Sequence, residues 1–120
     1  MTYAHISFTQ PGIHRWPDAP PRRAYLADNH RHLFTVEVQI QLHHEEREIE
    51  FHDLRRLAIN GFRMSSQYVA DYDDLADFGP KSCETLAREL GEYLVMQYPG
   101  RNVSVSVLED GEVGAMWGNF

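Results

Sequence analysis

From His30 to Leu42 the chain alternates with a period of two. His30, His32, Phe34, Val36, Val38, Ile40 and Leu42 fall on one face, and Arg31, Thr35, Glu37, Gln39 and Gln41 fall on the other, with Leu33 the one apolar exception. Successive side chains of a strand point to opposite faces, so this segment is a long strand with one buried face. Such a face has to be covered, which restricts the fold to a sheet carrying a second layer. Two of the residues on the apolar face are histidines, and both lie at its opening end. "HHEERE" reads as the turn after the strand, and "EIEF" predicts a short return strand completing a hairpin.

Residues 3–9, "YAHISFT", alternate well enough for another strand. "QPGIHRWPDAPPRR" then places four prolines and a glycine in one stretch and predicts a long structured loop; loops of this length are often functional. "HDLRRLAINGF" carries Leu54, Leu57, Ala58 and Phe62 at helical spacing, and residues 63–81 read as a second long loop. Ser82 is a suitable N-cap for a second helix, with Glu84 in its first turn and Leu86, Ala87, Leu90 and Leu94 on its apolar face. "YPGRN" stops that helix, "VSVSVLE" alternates strictly through Val103, Val105 and Val107 to Glu109, and "VGAMW" predicts a last strand. The order β-β-β-α-α-β-β predicts an α+β fold, an antiparallel sheet with two helices on one face.

The chain of 120 residues has the length of one domain, spanning 1–120. Its net charge of −7 argues against nucleic acid or an anionic membrane as the main partner. It has no apolar run of membrane-spanning length, "MTYAHISFTQ" lacks a signal-peptide layout, and the lone Cys83 rules out an internal disulfide, so a cytoplasmic location is expected.

All 7 histidines (5, 14, 30, 32, 43, 44 and 52) lie in the first half of the chain. Residues i and i+2 of a strand are about 7 Å apart on one face, close enough for His30 and His32 to share a metal ion. His14, in the proline-rich stretch leading to the strand, is the third candidate. Three histidines with an open position describe a catalytic zinc site. His43 and His44 lie at the far end of the strand. The competing reading is a structural subunit whose histidines carry no metal. Glu109 also has two readings. It is either a strand reaching solvent or a carboxylate at a pocket mouth, able to take a pair of N–H bonds from a flat heterocycle such as a pterin or guanine.

His14, the H-x-H opening a long strand, "EFHDL", "KSCETLA" and "VSVLED" follow one another in an order that resembles the 6-pyruvoyl-tetrahydropterin synthase and 6-carboxytetrahydropterin synthase family across nearly the whole chain. The resemblance implies the tunnelling fold (T-fold), an antiparallel four-stranded sheet with two helices packed on one face. It also implies zinc on His14, His30 and His32, with Arg31 where the family has glycine. Glu109 matches the family's pterin anchor, and Ser82 keeps the hydroxyl of a motif bordering the pocket. Family members assemble as homohexamers, dimers of trimers. The family's catalytic cysteine lies four residues before the H-x-H, where this chain has Leu26, which cannot move a proton. Asp71-Tyr72 is the best match to the family's supporting Asp-His pair, and Asp28, beside the metal loop, is a further substitute base. Asp73 and His52 are weaker ones. The expectation is a zinc-binding protein that holds a pterin or purine-derived ligand without the standard synthase activity. The alternative is an active zinc-dependent lyase using a substitute base.

Overall fold

The computed structural model describes residues 1–120. Its elements are β1 (Thr2–His14), a 3-10 helix (Pro21–Leu26), β2 (His30–Leu42), α1 (Phe51–Arg63), β3 (Tyr68–Val69), β4 (Ala76–Asp77), α2 (Cys83–Gln97), β5 (Val103–Glu109) and β6 (Val113–Gly118). The strands form one sheet in the order β3-β4-β1-β2-β5-β6. All its pairs are antiparallel except β1 with β4. The expected α+β architecture is present, with six strands rather than four. No helix is long and apolar enough to cross a membrane.

The alternation of β2 sets the core. Phe34, Val36, Val38 and Ile40 are fully buried, flanked by Ala4, Ile6 and Phe8 of β1 and by Val103, Val105 and Val107 of β5. Leu54, Ala58 and Phe62 of α1 and Leu86, Leu90 and Leu94 of α2 cover this face. α1 lies on β1, and α2 lies on β5 and β6. Leu33, the apolar exception on the other face, is exposed.

Three local expectations are corrected. "EIEF" is not a return strand: Ile49 is buried, and the Glu50 side chain caps α1 by accepting the Asp53 N–H at 2.6 Å. Satisfying an orphan helix N–H outweighs a strand propensity that has no neighbour to pair with. β1 does not stop at residue 9 but runs through Pro11 and Gly12 to His14. Apart from β4, which meets it only at Gly12 and Ile13, β1 has a free edge on the side away from β2, a setting where proline is tolerated in a sheet. Gly12 is required by packing, since a Cβ there would come within 2.8 Å of both the Phe34 and Phe78 rings. Buried Gln10 is satisfied by donating to the Pro11 and Asp74 carbonyls and accepting from Arg63 Nε at 2.8 Å. Lastly, the stretch 63–81 contains the small β3–β4 hairpin, anchored by fully buried Ala76 and Phe78.

Candidate metal centre

The β1–β2 register ends with His14 directly opposite His30, and the β2–β5 register sets Glu109 opposite Phe34. Even-numbered residues of β1 and β2 face the helices, as do odd-numbered residues of β5. His14, His30, His32 and Glu109 therefore converge at the end of the buried face, just beyond Phe34. Each offers one ligand atom, and these atoms all lie within 4.8 Å of one another. The ring centroids are 4.5 Å apart for His14–His30, 5.1 Å for His30–His32 and 5.4 Å for His14–His32. His14 is buried and the other three are half-buried.

The back of each imidazole is held by an acceptor. His14 Nδ1 donates to the Lys81 carbonyl at 3.0 Å and His30 Nδ1 to the Asp28 carbonyl at 3.0 Å. His32 Nδ1 donates to the Asp110 carboxylate at 2.8 Å. A carbonyl or carboxylate oxygen can only accept, so each Nδ1 carries a proton and Nε2 is the atom each ring has left to face the centre. This arrangement behind metal-ligating histidines orients the rings and raises their basicity. In front, Glu109 Oε2 lies 2.7 Å from His32 Nε2 and 3.2 Å from His14 Nε2. Three imidazole nitrogens and a carboxylate oxygen gathered this closely are a donor set suited to a cation. Burial holds the His14 imidazole below its ordinary pKa range; the Lys81 carbonyl opposes this and His30 adds to it.

The group opens into a cleft of about 560 Å³. Its walls include Trp16, Leu26, Ser82, Cys83 and Glu84 as well as the histidines and Glu109. Leu26 thus presents an apolar side chain where the resemblance places a thiol. Ser82 does border the cleft, but its hydroxyl is engaged in capping α2, accepting the Thr85 N–H at 3.2 Å. Asp28 is exposed, and only its carbonyl reaches the centre. Asp71 and Tyr72 lie exposed between β3 and β4, with Tyr72 91% exposed. None of these three lines the cleft of the single chain. Asp73 and His52 are likewise outside its wall.

Sequence reasoning missed Asp110 and the Lys81 carbonyl. An Asp-Gly pair between alternating strands marks a hairpin turn and could have drawn attention to Asp110. No sequence pattern announces a carbonyl acting from another element. Cys83 is buried at the start of α2. Burial, with Glu109 and Glu84 adding to it, pushes its thiol up to about 12. At pH 8 only about one thiol in ten thousand would then be ionised. Iodoacetamide is expected to label Cys83 far more slowly in the folded chain than in urea, with the native rate still rising about tenfold per unit through pH 8–10. Equal rates for the folded and unfolded chain would contradict the buried, protonated thiol.

No protein-family model matches the chain, and no curated protein matches its sequence. Solved structures do match. 6-Pyruvoyl tetrahydropterin synthase from Plasmodium vivax superposes with a TM-score of 0.62 at 11% identity over 99% of each chain. The fold is that of a 6-pyruvoyl tetrahydropterin synthase. The Plasmodium falciparum 6-pyruvoyl tetrahydropterin synthase gives a TM-score of 0.55 at 12% identity, covering 100% of this chain and 99% of that one. An uncharacterised protein from Wolinella succinogenes gives 0.65 at 13% identity, covering 99% and 98%. The motif resemblance to 6-pyruvoyl tetrahydropterin synthases therefore extends to the architecture, at an identity low enough that the site has to be argued from its own residues.

Proposed function

We propose that this chain binds zinc through His14, His30 and His32 and holds a pterin or related purine-derived ligand against Glu109, without the turnover of the synthases it resembles. The observation that carries this reading is that each Nδ1 is committed to an acceptor, which leaves Nε2 as the ligating atom, while one ligand atom from each histidine lies within 4.8 Å of the others. Neutral imidazoles suit zinc, and zinc would supply Lewis-acid polarisation of a ligand oxygen. Glu109 would accept the paired N–H groups of an aminopyrimidinone edge, fixing its orientation. Trp16 and Leu26 would cover the apolar faces of the ring system. Ser82 contributes to the wall more than to binding.

Calorimetry with a pterin on the zinc-loaded chain tests the anchor. Glu109→Gln replaces an acceptor by a donor facing a donor, a mismatch of about 1–3 kcal/mol, or roughly 5- to 150-fold in Kd. Equal affinities for the two proteins would refute the role of Glu109. The second reading, an active zinc-dependent lyase, needs Asp28, Asp71 or Tyr72 as its base and ranks lower because none of them borders the cleft.

The proposal includes assembly, in the cytoplasm, as a homohexamer of two stacked trimers. β6 pairs only with β5, and most of β1 lacks a partner on the side away from β2. Unpaired edges of this length invite pairing, and Val113 and Met116 on β6 are exposed apolar residues beside one of them. Light scattering at micromolar concentration is expected to give six chains, or three; a monodisperse monomer would exclude this assembly.

A further inference from the structure

The geometry points to a second duty for Glu109. When no organic ligand fills the cleft, its carboxylate is the fourth protein ligand of the metal, and the Glu109-Asp110 pair works as a clamp that closes the centre. This rests on the metal half of the function proposed above and is independent of the pterin half.

The first support is distance. Ligands 2.0–2.1 Å from a tetrahedral zinc lie roughly 3.3 Å from one another. Glu109 Oε2 is 3.2 Å from His14 Nε2 and 2.7 Å from His32 Nε2, inside a group whose ligand atoms span at most 4.8 Å. The carboxylate oxygen thus lies among the ring nitrogens and not out in the cleft, at the tetrahedral spacing from His14 and inside it from His32. The second support is the chemistry of those atoms. Each imidazole is held through Nδ1 by an acceptor-only oxygen, which leaves Nε2 as its ligating atom. A carboxylate oxygen and ring nitrogens gathered this closely form a set that one cation would engage together.

The third support is how the carboxylate is delivered. The turn after β5 has Asp110 at φ 55 and Gly111 at φ 73. Aspartate tolerates this left-handed conformation better than most residues. It lets the Asp110 carboxylate reach back to β2, accepting the Leu33 N–H at 2.9 Å and the His32 Nδ1–H at 2.8 Å. Adjacent residues therefore grip the same imidazole, Asp110 from behind and Glu109 from in front. Asp110 is a positioning residue, and Glu109 is a ligand that has to leave. An incoming molecule with a donor atom of its own would take the vacated position as Glu109 turns to meet it.

Cobalt(II), whose visible spectrum reports its coordination, tests the clamp on the full chain, with thiocyanate as a small probe for an open position. The wild-type spectrum is expected to be unmoved by thiocyanate. Glu109→Gln should bind cobalt at least about tenfold more weakly and give a spectrum that shifts on adding the anion. Asp110→Asn should raise the cobalt Kd about 10- to 100-fold while leaving the thermal midpoint of the metal-free chain unchanged. A wild-type spectrum that responds to thiocyanate as the Glu109→Gln one does would overturn the fourth-ligand role while leaving the three-histidine site standing. An unchanged Kd for Asp110→Asn would overturn the positioning role. A wild-type chain that binds no cobalt would remove the metal reading itself, and the clamp with it.

Discussion

Replacing His30 by alanine is expected to take bound zinc from about one ion per chain after dialysis to a small fraction of that. The three imidazoles form a set in which no outside residue can stand in, because His43, His44 and His52 are exposed and remote from the group. Three imidazoles with Glu109 beside them hold zinc tightly, whereas without His30 only two imidazoles and the carboxylate remain, and the weakened site loses its ion to buffer during dialysis. His30 is the most informative choice because its ring is half-buried and its one hydrogen bond is to the neighbouring Asp28 carbonyl. Truncating it disturbs the core little, whereas buried His14 packs edge-on against Phe34. Elemental analysis of the dialysed wild type and the variant decides the matter. Unchanged zinc content in His30→Ala would mean that the metal, if any, lies elsewhere. Chelation of the wild type should also lower its thermal midpoint, since an ion bound only by the folded state stabilises it by mass action. His30→Ala should show no such response.

Dihydroneopterin triphosphate is expected to be turned over about 10²–10⁴-fold more slowly than by a synthase with a positioned acid–base group. The reason lies in the cleft wall. Leu26 occupies it beside the histidines, while Asp28, Asp71 and Tyr72 do not reach it. Cys83 does reach it but keeps its proton, with a pKa raised to about 12. A single substitution, Leu26→Cys, supplies a thiol beside the histidines and should raise turnover measurably above that of the wild type. A product assay on both proteins separates the two functional readings. Wild-type turnover equal to that of an authentic synthase would establish the lyase alternative, and Asp28→Asn would then be the first variant to examine, as the substitute nearest the metal loop.

The features legible in the sequence are those that local physics encodes. The alternation of β2 and β5 assigns each side chain to a face, because a strand's period is two whatever it pairs with. Phe34, Val36, Val38 and Ile40 accordingly form the core, and Leu33 is left outside. Ser82 announces the start of α2 through a capping bond made within one turn. His30 and His32 share a face for the same reason as the valines that follow them. Where two local signals competed, the neighbours decided. "EIEF" became a helix cap because no strand lay alongside it, and "QPGIH" became strand because β2 lies along it and the Phe34 and Phe78 rings needed the space at Gly12. The make-up of the candidate metal centre was settled by register and turn geometry, which no local pattern contains. His14 meets Glu109 across 95 positions, His32 meets Asp110 across 78, and the carbonyl behind His14 comes from 67 residues away. The sequence determined which residues could be ligands. Only the pairing of three strands and the left-handed turn after β5 decided that Glu109 would stand among the histidines, because a carboxylate's neighbours depend on where the chain returns, and hydrophobic burial along the whole sheet sets that return.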